Sequence, residues 1–99
     1  MEISAQKNGE ARILLISGFL DSSTAGDFEA ALKAACSQTK DLTLNFAGVD
    51  FNSSSGLRVL LLGQKTMSSV GGKMLIINAN ESVREVFELT GFSDILNLG

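Results

Sequence analysis

A strand pattern, a run of three serines and a helix pattern follow one another in the middle of this chain of 99 residues. Leu42–Phe46 alternates apolar and polar residues, which predicts a β-strand. Ser53–Ser55 then precede a long apolar-rich segment, and Gly71-Gly72 is a typical helix end, so we predict a helix from about Ser55 to Val70. The fold must therefore accommodate a strand that passes through a serine loop into a long helix.

The serine run has a structural and a functional interpretation. A serine at a helix N-terminus commonly caps the helix, because its hydroxyl accepts a hydrogen bond from a backbone N–H that has no partner within the helix. Three serines exceed the needs of one cap, which leaves at least one hydroxyl available. The partial positive charge and unpaired N–H groups at this end of a helix favour a phosphate. Our hypothesis is that one of these serines gains and loses a phosphoryl group.

The rest of the chain also alternates strand and helix patterns. Ile13–Ile16 and Met74–Ile77 are continuous apolar runs, which predict central strands buried on both faces of a sheet. The other predicted elements are an edge strand over Glu2–Lys7 with an Asn8-Gly9 turn, a loop over Phe19–Thr24, a helix from there to about Thr39, a helix lined by Val83, Val86, Phe87 and Thr90, and a final segment of Ile95-Leu96 with Leu98 that either adds a short strand or packs against the domain. Either Ser82, in a capping box, or Asn80 caps the last helix.

The resulting order, β-β-α-β-α-β-α, indicates an α/β fold in a single domain over residues 1–99, with a mixed sheet of four to five strands and parallel crossovers. The carboxyl ends of parallel strands meet at one edge of a sheet, where such folds place their sites. We therefore expect Asp21-Ser22-Ser23 and Asn52-Ser53-Ser54-Ser55 at the same edge. Neither loop has the pattern of a deep apolar pocket, so a flat, hydroxyl-rich surface for binding a protein fits better.

Composition excludes several classes of function. The chain has no histidine, so it can form neither a Ser-His-Asp or Cys-His catalytic arrangement nor a histidine metal site. Lys65 lies roughly 16 Å along the helix axis from Ser54, too far to activate it. A net charge of −3, a lone Cys36 and apolar runs of at most four residues argue against a nucleic-acid partner, a disulfide or cysteine zinc site, and a membrane span. We expect a cytoplasmic protein that is not an enzyme and needs no cofactor.

Four blocks of sequence, in this order, resemble the STAS domain of the anti-sigma-factor antagonist type, from the bacterial partner-switching family. These blocks are Gly18–Ala25, Val49–Phe51 followed by Ser54–Leu57, Gly71–Met74 and Val83–Phe92. The resemblance covers essentially the whole chain. It implies a STAS-like fold and a regulatory binding protein without catalysis of its own.

The resemblance also implies a site and its partners. In members of the family, the first serine of an Asp-Ser-Ser/Thr-Gly-Leu motif is phosphorylated, and this serine corresponds here to Ser54. Ser53 stands where the family has aspartate. The implied partners are an anti-sigma factor that is a GHKL-type serine kinase and a PP2C-type phosphatase that reverses the modification. The residues that we expect to bind the partner are Asp21, Ser22, Ser23, Asn52, Ser53, Ser55, Gly56 and Arg58. Arg58 either pairs with the phosphate or is a surface charge.

Two alternatives stay open at this point. A constitutive STAS docking module that is never phosphorylated would explain the missing aspartate at Ser53. A nucleotide or small-anion binder would use the helix N-terminus that follows the serines. We expect the chain to be a monomer in either case.

Overall fold

The computed structural model describes residues 1–51 and 53–99. The strands are β1 (Glu2–Asn8), β2 (Ala11–Leu20), β3 (Asp41–Phe51), β4 (Lys73–Ile77) and β5 (Asn97–Leu98), and the helices are α1 (Ala25–Cys36), α2 (Ser55–Ser69) and α3 (Glu81–Leu89), with a 3-10 turn at Phe92–Asp94. The five strands form one sheet in the order β1-β2-β3-β4-β5. β1 runs antiparallel to β2, and the other neighbours are parallel. The predicted α/β fold with a mixed sheet is confirmed.

All three helices contribute to one core on the same face of this sheet. The ring of Phe28 in α1 meets that of Phe46 edge-on at 6.2 Å, and the ring of Phe87 in α3 meets that of Phe51 at 5.8 Å. Helix α2 contacts both α1 and β4. The helices therefore leave the opposite face of the sheet open.

The open face changes the burial of the central strands. In β2, Leu14 is buried but its neighbour Leu15 is only half-buried, and Leu75 in β4 is 36% exposed. The expectation that Ile13–Ile16 and Met74–Ile77 are buried on both faces is wrong, because the helices cover one face only.

Strands β2 and β3 are longer than predicted. Their pairing shifts at a β-bulge between Leu15 and Ser17 and then continues until Leu20 lies opposite Phe51. A bulge adds one unpaired residue to one strand and lets the ladder resume beyond it. Phe19 and Leu20, which were predicted to lie in a loop, therefore form the end of β2.

Helix α1 ends at Cys36, earlier than the predicted end near Thr39. The hydroxyl of Thr39 donates a hydrogen bond to the backbone oxygen of Glu10 at 2.7 Å and accepts one from the backbone N–H of Asp41 at 3.0 Å. These bonds are non-helical, and they fix the chain between α1 and β3.

Cys36, at the end of α1, is a buried residue. Burial disfavours the charged thiolate and so raises the pKa of the Cys36 thiol.

Local geometry decides the cap of α3 and the position of the turn between β1 and β2. Asn80 caps α3, since its side-chain oxygen accepts a hydrogen bond from the backbone N–H of Val83 at 2.9 Å, so the Ser82 alternative is wrong. The turn between β1 and β2 consists of Gly9 and Glu10, because Asn8 still belongs to β1. Gly9 has a φ of +65°, a conformation that glycine adopts without strain.

Candidate functional site: the edge at the carboxyl ends of β2 and β3

The two hydroxyl-rich loops lie side by side at one edge of the sheet. Leu20, the last residue of β2, is the direct neighbour of Phe51, the last residue of β3, and both strands run in the same direction. The loop after β2 therefore starts beside the loop after β3, as predicted. Asn52, one of the residues expected to bind the partner, lies outside the described residues.

The three serines before α2 differ in what their hydroxyls do. Ser53 uses its hydroxyl oxygen to accept a hydrogen bond from the backbone N–H of Ser55 at 3.3 Å. Ser54 is the N-cap residue by backbone position, yet its side chain makes no capping hydrogen bond. Ser53 and Ser54 are exposed, whereas Ser55 is half-buried. Ser54 is therefore an exposed residue whose side chain does not cap the helix.

Gly56 allows the first turn of α2 to approach the sheet closely. A Cβ at this position would overlap the side chain of Leu20 and would lie 3.0 Å from Cε1 of Phe51. Close packing of the helix against the sheet is thus a role of this glycine in the structure. Because both contacts are strand ends, the start of α2 is held directly over the edge that carries the loops.

The carboxylate of Asp21 is used inside its own loop. Its Oδ1 accepts hydrogen bonds from the backbone N–H of Ser23 at 2.9 Å, from the Ser23 hydroxyl at 2.6 Å and from the backbone N–H of Thr24 at 3.2 Å. In return, the backbone N–H of Asp21 donates to Oγ1 of Thr24 at 3.0 Å. The bonds from Ser23 lower the pKa of Asp21 most, so the carboxylate is charged at neutral pH. This arrangement fixes the start of α1 and leaves Ser22 exposed.

Arg58 is paired within the domain. Its Nη2 lies 3.2 Å from Oε1 of Glu29 in α1, and Nζ of Lys33 lies 3.1 Å from the other oxygen of the same carboxylate. Lys33 and then Arg58 lower the pKa of Glu29. The Arg58 side chain is still 66% exposed, so the pair links α1 to α2 at the surface. In this structure the Arg58 side chain is therefore engaged in an ion pair with helix α1.

Two comparisons with known proteins decide the family. The family model for the STAS domain matches residues 2–99. BtrV of Bordetella bronchiseptica, which is named as an anti-sigma factor antagonist, is 33% identical over 96 residues, covering 96% of this chain and 83% of BtrV. The chain is a STAS domain of the anti-sigma-factor antagonist family.

Other members of this family are similar over most of the STAS domain. The anti-sigma F factor antagonist of Lysinibacillus sphaericus is 27% identical over 84 residues, covering 83% of this chain and 72% of that protein. The unphosphorylated form of the anti-sigma factor antagonist SpoIIAA superposes with a TM-score of 0.81 at 21% identity, covering 99% of this chain and 88% of SpoIIAA. Its phosphorylated form gives a TM-score of 0.75 at 20% identity, over 99% and 91%. These superpositions confirm the fold.

The STAS domain also places at this edge two residues to which the sequence patterns assigned no role in the site. The side-chain amide of Asn80 donates hydrogen bonds to the backbone oxygen of Val49 at 3.1 Å and to Oδ1 of Asp50 at 2.9 Å, which ties the start of α3 to the end of β3. Phe19, beside Asp50 in the register, is exposed. The Asp21-x-x-Thr24 spacing is typical of a helix start, and it was a signal that the Asp21 carboxylate accepts hydrogen bonds within its own loop. The sequence patterns indicated Asn80 only as a cap of α3, and they carried no comparable signal for Phe19.

Other kinds of site are poorly supported in the STAS domain. The part of the chain that the structure describes contains no cluster of three or more side chains that could hold a metal ion. Within the same residues, no helix has the length and apolar character needed to cross a bilayer. An apolar cleft of about 250 Å³ runs between α1 and α2, but its α2 lining begins at Val59, beyond the first turn that carries the serines. The cleft is therefore separate from the hydroxyl-rich edge.

Proposed function

We propose that this STAS domain is a cytoplasmic, monomeric and non-catalytic regulator that binds an anti-sigma factor with serine kinase activity and is released when the kinase phosphorylates Ser54. A PP2C-type phosphatase would restore the binding form. The observation that carries the proposal is the exposed residue Ser54, whose side chain lies at the start of α2 without a capping role. The family membership supplies the class of partner.

The neighbours of Ser54 support it as the acceptor. Transfer forms a bond between its Oγ and the γ-phosphorus of ATP, breaks the bond to the ADP oxygen and sends the hydroxyl proton to a base that the kinase must supply. Ser53 already accepts a hydrogen bond through its hydroxyl, and Ser55 is half-buried. Ser54 is therefore the serine of the three that a kinase can reach with the least rearrangement.

The change of charge explains the release. A phosphoserine carries about −1.5 to −2 charges at neutral pH. At the N-terminus of α2 the helix dipole makes this charge tolerable for the domain itself. A partner surface packed against the same residue would have to bury the charge or face it, and both are unfavourable. Phosphorylation should therefore weaken binding without unfolding the domain.

We place the partner surface on the paired loops. Ser22, Ser53 and Ser54 are exposed there, and Gly56 brings α2 down onto the same edge. Asp21 and Ser23 shape this surface by holding the loop after β2, so their effect on binding would be partly indirect. SpoIIAA, which has the same fold, has been solved in phosphorylated and unphosphorylated forms. This supports a protein that switches between an unphosphorylated and a phosphorylated form.

A constitutive docking module is the second candidate. Ser53 favours it, because the family motif has an aspartate where this chain has a hydroxyl. A kinase that reads this carboxylate would phosphorylate Ser54 poorly, and binding would then persist in all conditions. The two candidates share the surface and differ only in the chemistry at Ser54.

Phosphorylation in vitro separates the two candidates. The full chain is incubated with ATP and each GHKL-type serine kinase of its source genome, and the product is examined by peptide mass spectrometry. We expect one phosphate, at Ser54, and none on a Ser54→Ala variant. Binding of a kinase without any phosphate transfer would establish the docking module. Modification at Ser53 or Ser55 alone would move the acceptor.

A further inference from the structure

Phe19 is an exposed aromatic side chain at the edge that carries the serines. The ring is 57% exposed, whereas the other five phenylalanines of the chain are buried or half-buried in the core. Burying an aromatic side chain is among the larger single contributions to a protein interface. An exposed ring of this kind, next to a loop expected to bind a partner, is therefore a candidate contact.

The backbone under Phe19 is rigidly held. Its Cα is paired with that of Asp50 on β3, and its carbonyl oxygen accepts a hydrogen bond from Oγ1 of Thr24 at 2.9 Å. The next residue, Leu20, is fully buried against the first turn of α2 at Gly56. A fixed backbone leaves only the two side-chain torsions of Phe19 to be ordered on binding, which keeps the entropic cost low.

Two carboxylate residues lie near Phe19, one in the strand pairing and one along the chain. Asp50 is the register partner of Phe19 on the neighbouring strand, and Asp21 follows two residues later in the loop. The hydrogen bonds to Asp21 lower its pKa and keep it charged at neutral pH. An apolar side chain near carboxylates is complementary to an apolar pocket with basic residues around it.

Phe19 and Ser54 are close enough to share one interface. Leu20 touches Gly56, which lies two residues after Ser54, so the strand end that carries Phe19 lies at the same edge of the sheet as the start of α2. An interface of ordinary size covers about 800 Å² on each partner, which corresponds to a radius of roughly 16 Å. Because Leu20 faces the helices, the adjacent Phe19 faces the open side of the sheet. A kinase bound over Ser54 that extends across the edge onto this side would also cover Phe19.

We propose that Phe19 is the apolar anchor by which this domain docks on the kinase that modifies Ser54, and that it enters an apolar pocket with a basic rim. This inference rests on the proposed function, since it takes the kinase as the partner. The inference adds Phe19, a residue outside the serine motif, to the partner surface. Phe19 determines the affinity for the kinase and leaves the acceptor hydroxyl of Ser54 unchanged.

The test compares three variants of the full chain with wild type, using the GHKL-type kinase that binds wild type. Phe19→Ala removes the ring, and Phe19→Thr does so with a residue that favours strands. Leu89→Ala is the matched control, because Leu89 is 79% exposed at the end of α3. Affinity is measured by calorimetry, folding by thermal unfolding, self-association by sedimentation, and phosphorylation at saturating kinase by mass spectrometry.

We expect both Phe19 variants to keep the wild-type midpoint and to lose about 30-fold or more in affinity, while Leu89→Ala stays within about twofold. At saturating kinase, Ser54 should still be phosphorylated. Folded Phe19 variants that bind as tightly as wild type would overturn the anchor and leave the proposed function intact. A wild-type dimer that the Phe19 variants abolish, with kinase affinity unchanged, would assign the ring to a second copy of the chain. A wild type that binds none of the kinases would overturn the proposed function and the anchor together.

Discussion

Leu20 packs so closely against Gly56 that no Cβ fits between them. Leu20 is the last residue of β2 and Gly56 lies in the first turn of α2, so this contact joins the two halves of the proposed partner surface. It sets the height of the α2 N-terminus above the sheet, and hence the position of Ser54. The contact therefore links the packing of the core to the geometry of the site.

Replacing Gly56 with Ala should destabilise the domain by about 1–3 kcal/mol, because the new methyl group overpacks a filled site against Leu20 and Phe51. Gly26→Ala is the matched control, since Gly26 lies in α1 with open space around it. That substitution should stabilise by up to about 1 kcal/mol through helix propensity. Denaturant unfolding of both variants measures the difference. Equal stabilisation by the two alanines would show that α2 does not need the close approach.

The Asp21 carboxylate should make stability depend on pH. Its folded-state pKa is below the ordinary value of 3.8, so its contribution is present above that value and is lost as the pH falls through the lower, folded-state pKa. Asp21→Ala should therefore have a lower thermal midpoint than wild type at pH 7, and the gap should narrow in strongly acidic solution. Asp21→Asn, which keeps an acceptor oxygen, should lose less at pH 7. A gap between Asp21→Ala and wild type that is constant from pH 7 to pH 2 would contradict a role for the charge.

Restoring the family aspartate should improve phosphorylation. The hydroxyl of Ser53 accepts the hydrogen bond from the backbone N–H of Ser55, and the carboxylate of Ser53→Asp can accept the same bond, so the loop should keep its shape. If the kinase reads this carboxylate, the kcat/KM for phosphorylation of Ser54 should rise about tenfold, which corresponds to 1.4 kcal/mol. Ser53→Ala controls for the loss of the loop hydrogen bond. An unchanged kcat/KM for Ser53→Asp would mean that the kinase ignores this position.

Local patterns predicted most of the elements because each has its own signal. The apolar stripe of α1, the serine start of α2 and the glycines after it all lie where the periodicity indicated. The error on two-sided burial arose because a continuous apolar run does not show how many helices cover each face of a sheet. Thr43 and Asn45, which are polar residues within β3, indicated the open face in advance.

Features that depend on pairing between distant segments were beyond local patterns. The bulge in the β2–β3 pairing carries Phe19 into a strand, and it becomes visible only when the two strands are aligned. The ion pair of Arg58 joins residues 29 positions apart in the chain, so no local spacing reveals it. The loops around Ser54 were predictable as neighbours because parallel strands bring their carboxyl ends together. Local patterns could not show which of the three serines has a side chain without a role in the helix start, because this depends on the hydrogen bonds in the structure.

The affinity of Ser54→Asp for the kinase tests the proposed switch most directly. A carboxylate at the start of α2 gains about 0.3–1 kcal/mol from the helix dipole, so the variant should remain as stable as wild type. Its affinity should fall about 100-fold or more, because an unpaired charge is placed in a desolvated interface. Ser54→Ala, measured beside it, should bind like wild type and resist release by ATP. A folded Ser54→Asp that binds the kinase as tightly as wild type would contradict an electrostatic switch at this residue.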